Sequence, residues 1–208
     1  MAKLMKNSEL QCRLLHPLPG ETSWAQLRDE AAVFAEHGWP VHPGTFQIGG
    51  KSNWLGRPDT YRLEPVAASW EKVATTDSSV AARWWSRRPY SLLLACGRLV
   101  DAFEVHGDLG RLALELLGER GVVCPAAQTP AGTWLFFAGR RGVSGTETSR
   151  VRHHGVGAWV PLPPTAAGGF AYEWRVSPHS VGWHLADGAR VCGALVEVGE
   201  RPAVMSSR

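Results

Sequence analysis

Apolar and polar positions along the chain follow two periods, and the switch between them is sharpest at residues 99–120. Leu99-Val100-Asp101-Ala102-Phe103-Glu104-Val105-His106 opens as a short apolar run, then alternates Phe103 and Val105 with Glu104 and His106 before the Gly107-Asp108 turn. This pattern predicts a central strand that ends in polar side chains. A period of two puts Glu104 and His106 on one side of that strand and turns Asp101 away from them. In Arg111–Arg120, Leu112, Leu116 and Leu117 share one helical face, so the unit is strand, tight turn, helix, with Asp108 expected as the helix cap.

Before this unit, Thr22 or Ser23 can cap a helix over Trp24–His37, in which Trp24, Leu27, Ala31, Phe34 and Ala35 follow the helical period and Gly38 terminates it. Trp39-Pro40-Val41-His42-Pro43 reads as an extended piece whose prolines argue for a sheet edge or a strand end. A long polar connection leads to Thr75-Thr76-Asp77, a cap for a helix over Ser78–Arg87 with Val80, Trp84 and Trp85 inward. Pro89 stops it, and Ser91–Gly97 reads as a buried strand.

After the Arg111 helix, short strands are expected at Val122–Pro125, Thr133–Ala138, Val151–Val160 about a glycine turn, Tyr172–Val176, Val181–Leu185 and Ala194–Val198. Two or three helices among some eight short strands predict an α+β fold, a mixed or antiparallel sheet core flanked by helices. The divisions expected are an N-terminal arm over 1–21, a domain over 22–199 and a tail over 200–208.

Composition narrows this further. With 208 residues, 44% hydrophobic and 20% charged, the chain can bury a core unaided. The four cysteines are scattered without a CxxC spacing, which fits reduced thiols in a cytoplasmic protein. No run of about 18 apolar residues and no signal-peptide core is present, so no membrane partner is expected. Net charge is only +3, but basic residues cluster at Arg83, Arg87 and Arg88 and again from Arg140 to His154. The ten tryptophans are an unusual supply of aromatic surface.

The candidate chemistry centres on Glu104 and His106. A carboxylate and an imidazole on one strand face can hold a metal ion; the same spacing also describes a polar face turned to water. Gly49-Gly50-Lys51 could bring backbone and ammonium to a phosphate, though it lacks the spacing of a Walker loop. The arginines of the Ser78 helix read equally as a solvated face or as an anion contact.

The order of motifs resembles a known family. Gly38-Trp39-Pro40-Val41, Gly49-Gly50-Lys51, Ala74-Thr75-Thr76-Asp77, Trp84-Trp85 with Arg88-Pro89, Ala95-Cys96-Gly97, the strand at 99–106, Thr129-Pro130-Ala131-Gly132, and Gly155-Val156-Gly157-Ala158-Trp159-Val160 with Pro163-Pro164-Thr165 succeed one another in the order of motifs in the bifunctional DNA primase/polymerase domain of the archaeo-eukaryotic primase superfamily. The resemblance covers roughly residues 24–176. The Ala/Gly/Arg/Pro-rich make-up is similar to actinobacterial members with an eroded active site. The family implies two metal-binding acids one residue apart at the strand end, a nucleotide-contacting histidine on the strand after the TPSG-like turn, and a third acid before the glycine turn. These positions fall on Glu104 and His106, on Trp134, and on Arg152 or a neighbour. One carboxylate of three survives, where two-metal chemistry needs a cluster.

Three functions follow from this. The first is a degenerate scaffold that binds nucleotide or single-stranded DNA without metal, through Lys51, Trp134, Arg140, Arg141, Arg152, His153 and His154. The second is a residual nucleotidyltransferase in which Glu104 and His106 are the catalytic and metal-binding residues, with manganese, or magnesium, as cofactor. The third is a protein-interaction module that meets its partner through exposed tryptophans such as Trp54, Trp70 and Trp183.

Overall fold

The computed structural model describes residues 23–48, 53–140 and 148–200. The N-terminal arm, Gly49-Gly50-Lys51, Arg141 and the tail from residue 201 lie outside them.

Helix α1 (Trp24–Glu36) starts where the Ser23 hydroxyl accepts the Gln26 backbone N–H, and it buries Leu27, Ala31, Phe34 and Ala35. Strand β1 (Val41–Gly44) follows Gly38, whose φ of +80° suits glycine at a helix exit. Its Pro43 is tolerated because β1 is an edge strand. The connection to the next strand carries α2 (Trp70–Val73) and α3 (Ser78–Trp85). The Asp77 carboxylate caps α3 by accepting the Ser79 and Val80 N–H groups. Helix α3 buries Ala81 and Trp85, leaves Val80 half-buried, and ends two residues before the predicted Arg87, with Arg83, Arg87 and Arg88 exposed.

Strand β2 (Ser91–Ala95) is buried throughout and leads into β3 (Val100–Val105). Helix α4 (Gly107–Glu119) starts earlier than predicted, so His106 is its N-cap residue and Asp108 lies in its first turn. An acid there complements the helix dipole without being the cap. The following strands are β4 (Ala126–Gln128), β5 (Trp134–Gly139), β6 (Val151–His154), β7 (Trp159–Pro161), β8 (Ala166–Ala167), β9 (Phe170–Ala171) and β10 (Glu173–Val176). Helix α5 (Gly188–Glu200) closes the described chain.

Three expected strands are thereby corrected. Val122–Pro125 precedes the strand, which begins at Ala126. Ala194–Val198 belongs to α5, where Val191, Ala194, Leu195 and Val198 are buried at helical spacing. Val181–Leu185 is no strand either: a 3-10 turn spans His179–Val181. The helices also outnumber the expected two or three.

Strand pairing is antiparallel in every ladder between named strands, giving a three-stranded sheet β1-β2-β7, a five-stranded sheet β10-β4-β5-β3-β6 and the small β8-β9 hairpin. The fold is therefore α+β with helices flanking antiparallel sheets. One core packs α1, α3 and the three-stranded sheet against Val100, Ala102, Leu135 and Phe137 on one face of the larger sheet. A second core packs α4 and α5 against Phe103, Val105, Trp134, Phe136 and Ala138 on its other face. Strand β3 is paired on both sides, so its polar residues are placed by two neighbours at once.

Candidate functional site

Glu104 stands near the exit of β3, opposite Leu135 on β5 and opposite Arg152 on β6. His154 lies two residues on from Arg152, so strand parity returns it to the Glu104 face. The Thr133 hydroxyl donates to Glu104 Oε1 at 2.7 Å, and His154 Nε2 lies 3.0 Å from Glu104 Oε2. The chain of contacts continues outward, since the Thr129 and Thr133 hydroxyls are 2.8 Å apart.

The Thr129-Pro130-Ala131-Gly132 turn sets this up. The Gly132 N–H donates to the Thr129 carbonyl and the Thr129 N–H to the Thr133 carbonyl, with Gly132 at φ +82°. The turn presses on the exit of β3 so closely that a Cβ on Gly107 would lie 2.5 Å from the Gly132 carbonyl oxygen. Glycine at 107 is what lets turn and strand meet.

Glu104 is half-buried, and its carboxyl is held below the usual carboxylate range. The His154 hydrogen bond is the largest cause; burial opposes it, and the Thr133 hydrogen bond and the charges of His154 and Arg152 add to it. An ionised Glu104 only accepts, so Nε2 of His154 carries the hydrogen between them. Burial, with the negative charge of Glu104 next, pushes the Tyr172 phenol up to about 12, so Tyr172 remains a protonated donor.

This set does not fit the paired divalent ions that such a strand end suggests. Both Glu104 oxygens are engaged, Arg152 is its cross-strand partner, and the described residues contain no group of three or more His, Cys, Asp or Glu suited to a metal. A cation placed 4 Å from a guanidinium meets a repulsion of about 4 kcal/mol at an effective dielectric near 20. The arrangement places the exposed Arg152 across from an ionised carboxylate whose two oxygens already accept hydrogen bonds.

The other candidate residues are dispersed. His106 is exposed at the start of α4 and makes no side-chain capping bond; no hydrogen bond or ion pair joins it to Glu104 among the described residues. Trp134 points to the opposite face of the sheet, stacked with Phe136 and packed so tightly on α4 that a Cβ on Gly110 would come within 2.1 Å of its ring. Arg140 is exposed beyond β5 at the far end of β3, where its N–H donates to the Leu99 carbonyl. His153 faces away from Glu104, with Nε2 2.8 Å from Asp101 Oδ2 and its ring stacked on Phe103. Lys51 and Arg141 lie outside the described residues. Thr129, Thr133 and Tyr172 were not among the expected site residues; only the cross-strand register, with the Thr-Pro turn already visible in the sequence, brings the two threonines to Glu104.

The described residues form antiparallel sheets flanked by helices, with a carboxylate near the exit of an internal strand beside a Thr-Pro turn. The chain belongs to the family described as bifunctional DNA primase/polymerase, N-terminal, which it matches over residues 31–191. No curated protein matches the sequence. No helix among the described residues is long and apolar enough to cross a membrane. All ten tryptophans are buried or half-buried, Trp54, Trp70 and Trp183 among the half-buried.

Proposed function

We propose that this chain is a primase-polymerase domain, spanning residues 22–199, that binds the phosphates of a nucleotide or single strand without a metal ion and does not polymerise. The observation that carries the reading is the state of Glu104: both oxygens are taken by Thr133 and His154, and Arg152 stands across from it on β6. Arg152 supplies positive charge where the family's chemistry calls for a carboxylate. His154 and Thr133 hold the remaining acid ionised and occupied, and Tyr172 offers a hydroxyl that stays protonated.

Calorimetric titration of the protein with dATP, in EDTA, in magnesium and in manganese, tests this. Binding is expected in EDTA, weakening as salt rises, because a guanidinium–phosphate contact is charge-assisted and screened. Binding that needs manganese and disappears in Glu104→Gln would replace this reading with residual nucleotidyl transfer. Absence of binding at low salt under all three conditions would discard a nucleotide role.

A further inference from the structure

His42 is fully buried in β1, and among the described residues no side chain hydrogen-bonds either ring nitrogen; the only polar influence on the ring is the neighbouring Pro43 backbone. Its ring lies under the Trp70 indole, with centroids 5.0 Å apart and planes 23° from parallel. Trp70 opens α2, a helix of four residues with no buried residue and no side-chain cap bond. The segment that follows returns to β1 through one reciprocal pair, Val41 N–H to the Thr75 carbonyl and Thr75 N–H to the Val41 carbonyl. A weakly built cover thus sits on an imidazole that the fold holds far better neutral than charged.

We propose that His42 and Trp70 form an acid-sensitive latch, in which protonation of His42 releases α2 and the Thr75 bridge while the rest of the fold stays closed. Among the described residues, no acidic side chain is placed to receive its charge. β2 brings no ionisable group; α1 carries Arg28, Asp29, Glu30 and Glu36, α2 carries Glu71 and Lys72, and α3 has Arg83 with Asp77 at its cap. None of them pairs with the imidazole among the described residues, and Glu64 of the connection is engaged by Arg57 and Arg62. Burial, against a weaker opposing pull from the Pro43 backbone, lowers the His42 pKa from 6.5 to about 4.

The sign follows from linkage. A histidine whose closed-state pKa lies below its open-state value favours the closed state above the open-state pKa and loses that preference as pH falls toward the closed-state value. The window is therefore pH 6.5 down to about 4. Opening should rise about 20-fold between pH 7 and pH 5, toward a limit of about 300-fold at lower pH.

Hydrogen exchange on the full chain reads this directly. Protection factors for the Ala74 and Thr75 amides, which donate to the Trp70 and Val41 carbonyls, are expected to fall about 20-fold from pH 7 to pH 5. Those for Phe103 and Phe136, paired in the larger sheet, should hold steady. His42→Phe keeps an aromatic ring under Trp70 and should make the 74–75 protection independent of pH, as should His42→Leu if the phenylalanine variant does not fold. Flat protection in the natural chain, a fall shared equally by Phe103 and Phe136, or a fall that persists in a folded His42 variant would each overturn the latch.

Discussion

The two faces of β3 carry the same chemical pair with different consequences. On one face Glu104 meets His154 at 3.0 Å; on the other Asp101 meets His153 at 2.8 Å. The Glu104 side chain keeps 28% of its exposure, whereas Asp101 keeps 2%. Around Glu104 there are also the Thr133 hydroxyl, the Tyr172 phenol that its charge influences and, across the strand, the exposed Arg152. The Asp101 pair has Phe103 stacked on its imidazole and faces the α4/α5 core. A carboxylate–imidazole pair is thus not a site by its composition. Access and the third and fourth groups around it make the difference, and here only one face of the strand has both.

This contrast can be broken from its buried side with the largest effect. Asp101→Ala removes the buried member of its pair and should cost about 3 kcal/mol of unfolding free energy, read from the denaturant midpoint at constant m-value, with dATP binding by the folded fraction retained. If the loss were below about 1 kcal/mol, the two faces would not differ in structural weight.

A smaller effect is expected at Glu104, and it is one of pH. Its folded-state pKa is depressed below the ordinary 4.5, so it contributes stability that is present above that value and lost as pH falls through the folded-state value. Glu104→Gln should lower the denaturation midpoint at pH 7, where that stability is present, and flatten the acid limb so that the variant and the natural chain converge below pH 4.5, as chemical denaturation across pH 3–7 would show. An unchanged acid limb would mean that the His154 contact does not hold the carboxyl down.

The least effect on stability and the clearest on binding belong to Arg152. Arg152→Gln on this exposed position should shift stability by no more than about 0.5 kcal/mol. It should also weaken dATP binding in EDTA about tenfold, the scale of one hydrogen bond to a charged group, and lower the salt slope of single-strand affinity by about one. Equal losses for Arg152→Gln and Asp101→Ala would erase the distinction between the faces.

Much of the architecture could be read before the fold was known, and the failures have physical causes. Ser23 and Asp77 act as helix caps, and β1 lies at a sheet edge where its proline allows it. Ala194–Val198 misled because Leu195-Val196-Glu197-Val198 alternates and is rich in β-branched residues; the helical stripe shows only once Val191 is counted with it. At the site, parity alone put Glu104 and Asp101 on opposite faces. Parity could not choose which histidine each would meet, because that is fixed by the register of β6 against β3, a long-range pairing. It likewise took the fold to show Trp134 as a core residue under α4, since a tryptophan opening a strand can serve either face.

The position of β6 at the margin of the five-stranded sheet places Arg152 on an outermost strand, where a charge bears on self-association. An outermost strand offers backbone groups to any passing chain, and natural proteins discourage such pairing by keeping these strands short and charged. β6 has four residues with Arg152 among them, and β10 at the other margin carries Glu173 and Arg175. An apolar replacement at residue 152 would remove an edge-strand charge along with the proposed anion contact, whereas glutamine separates the two losses.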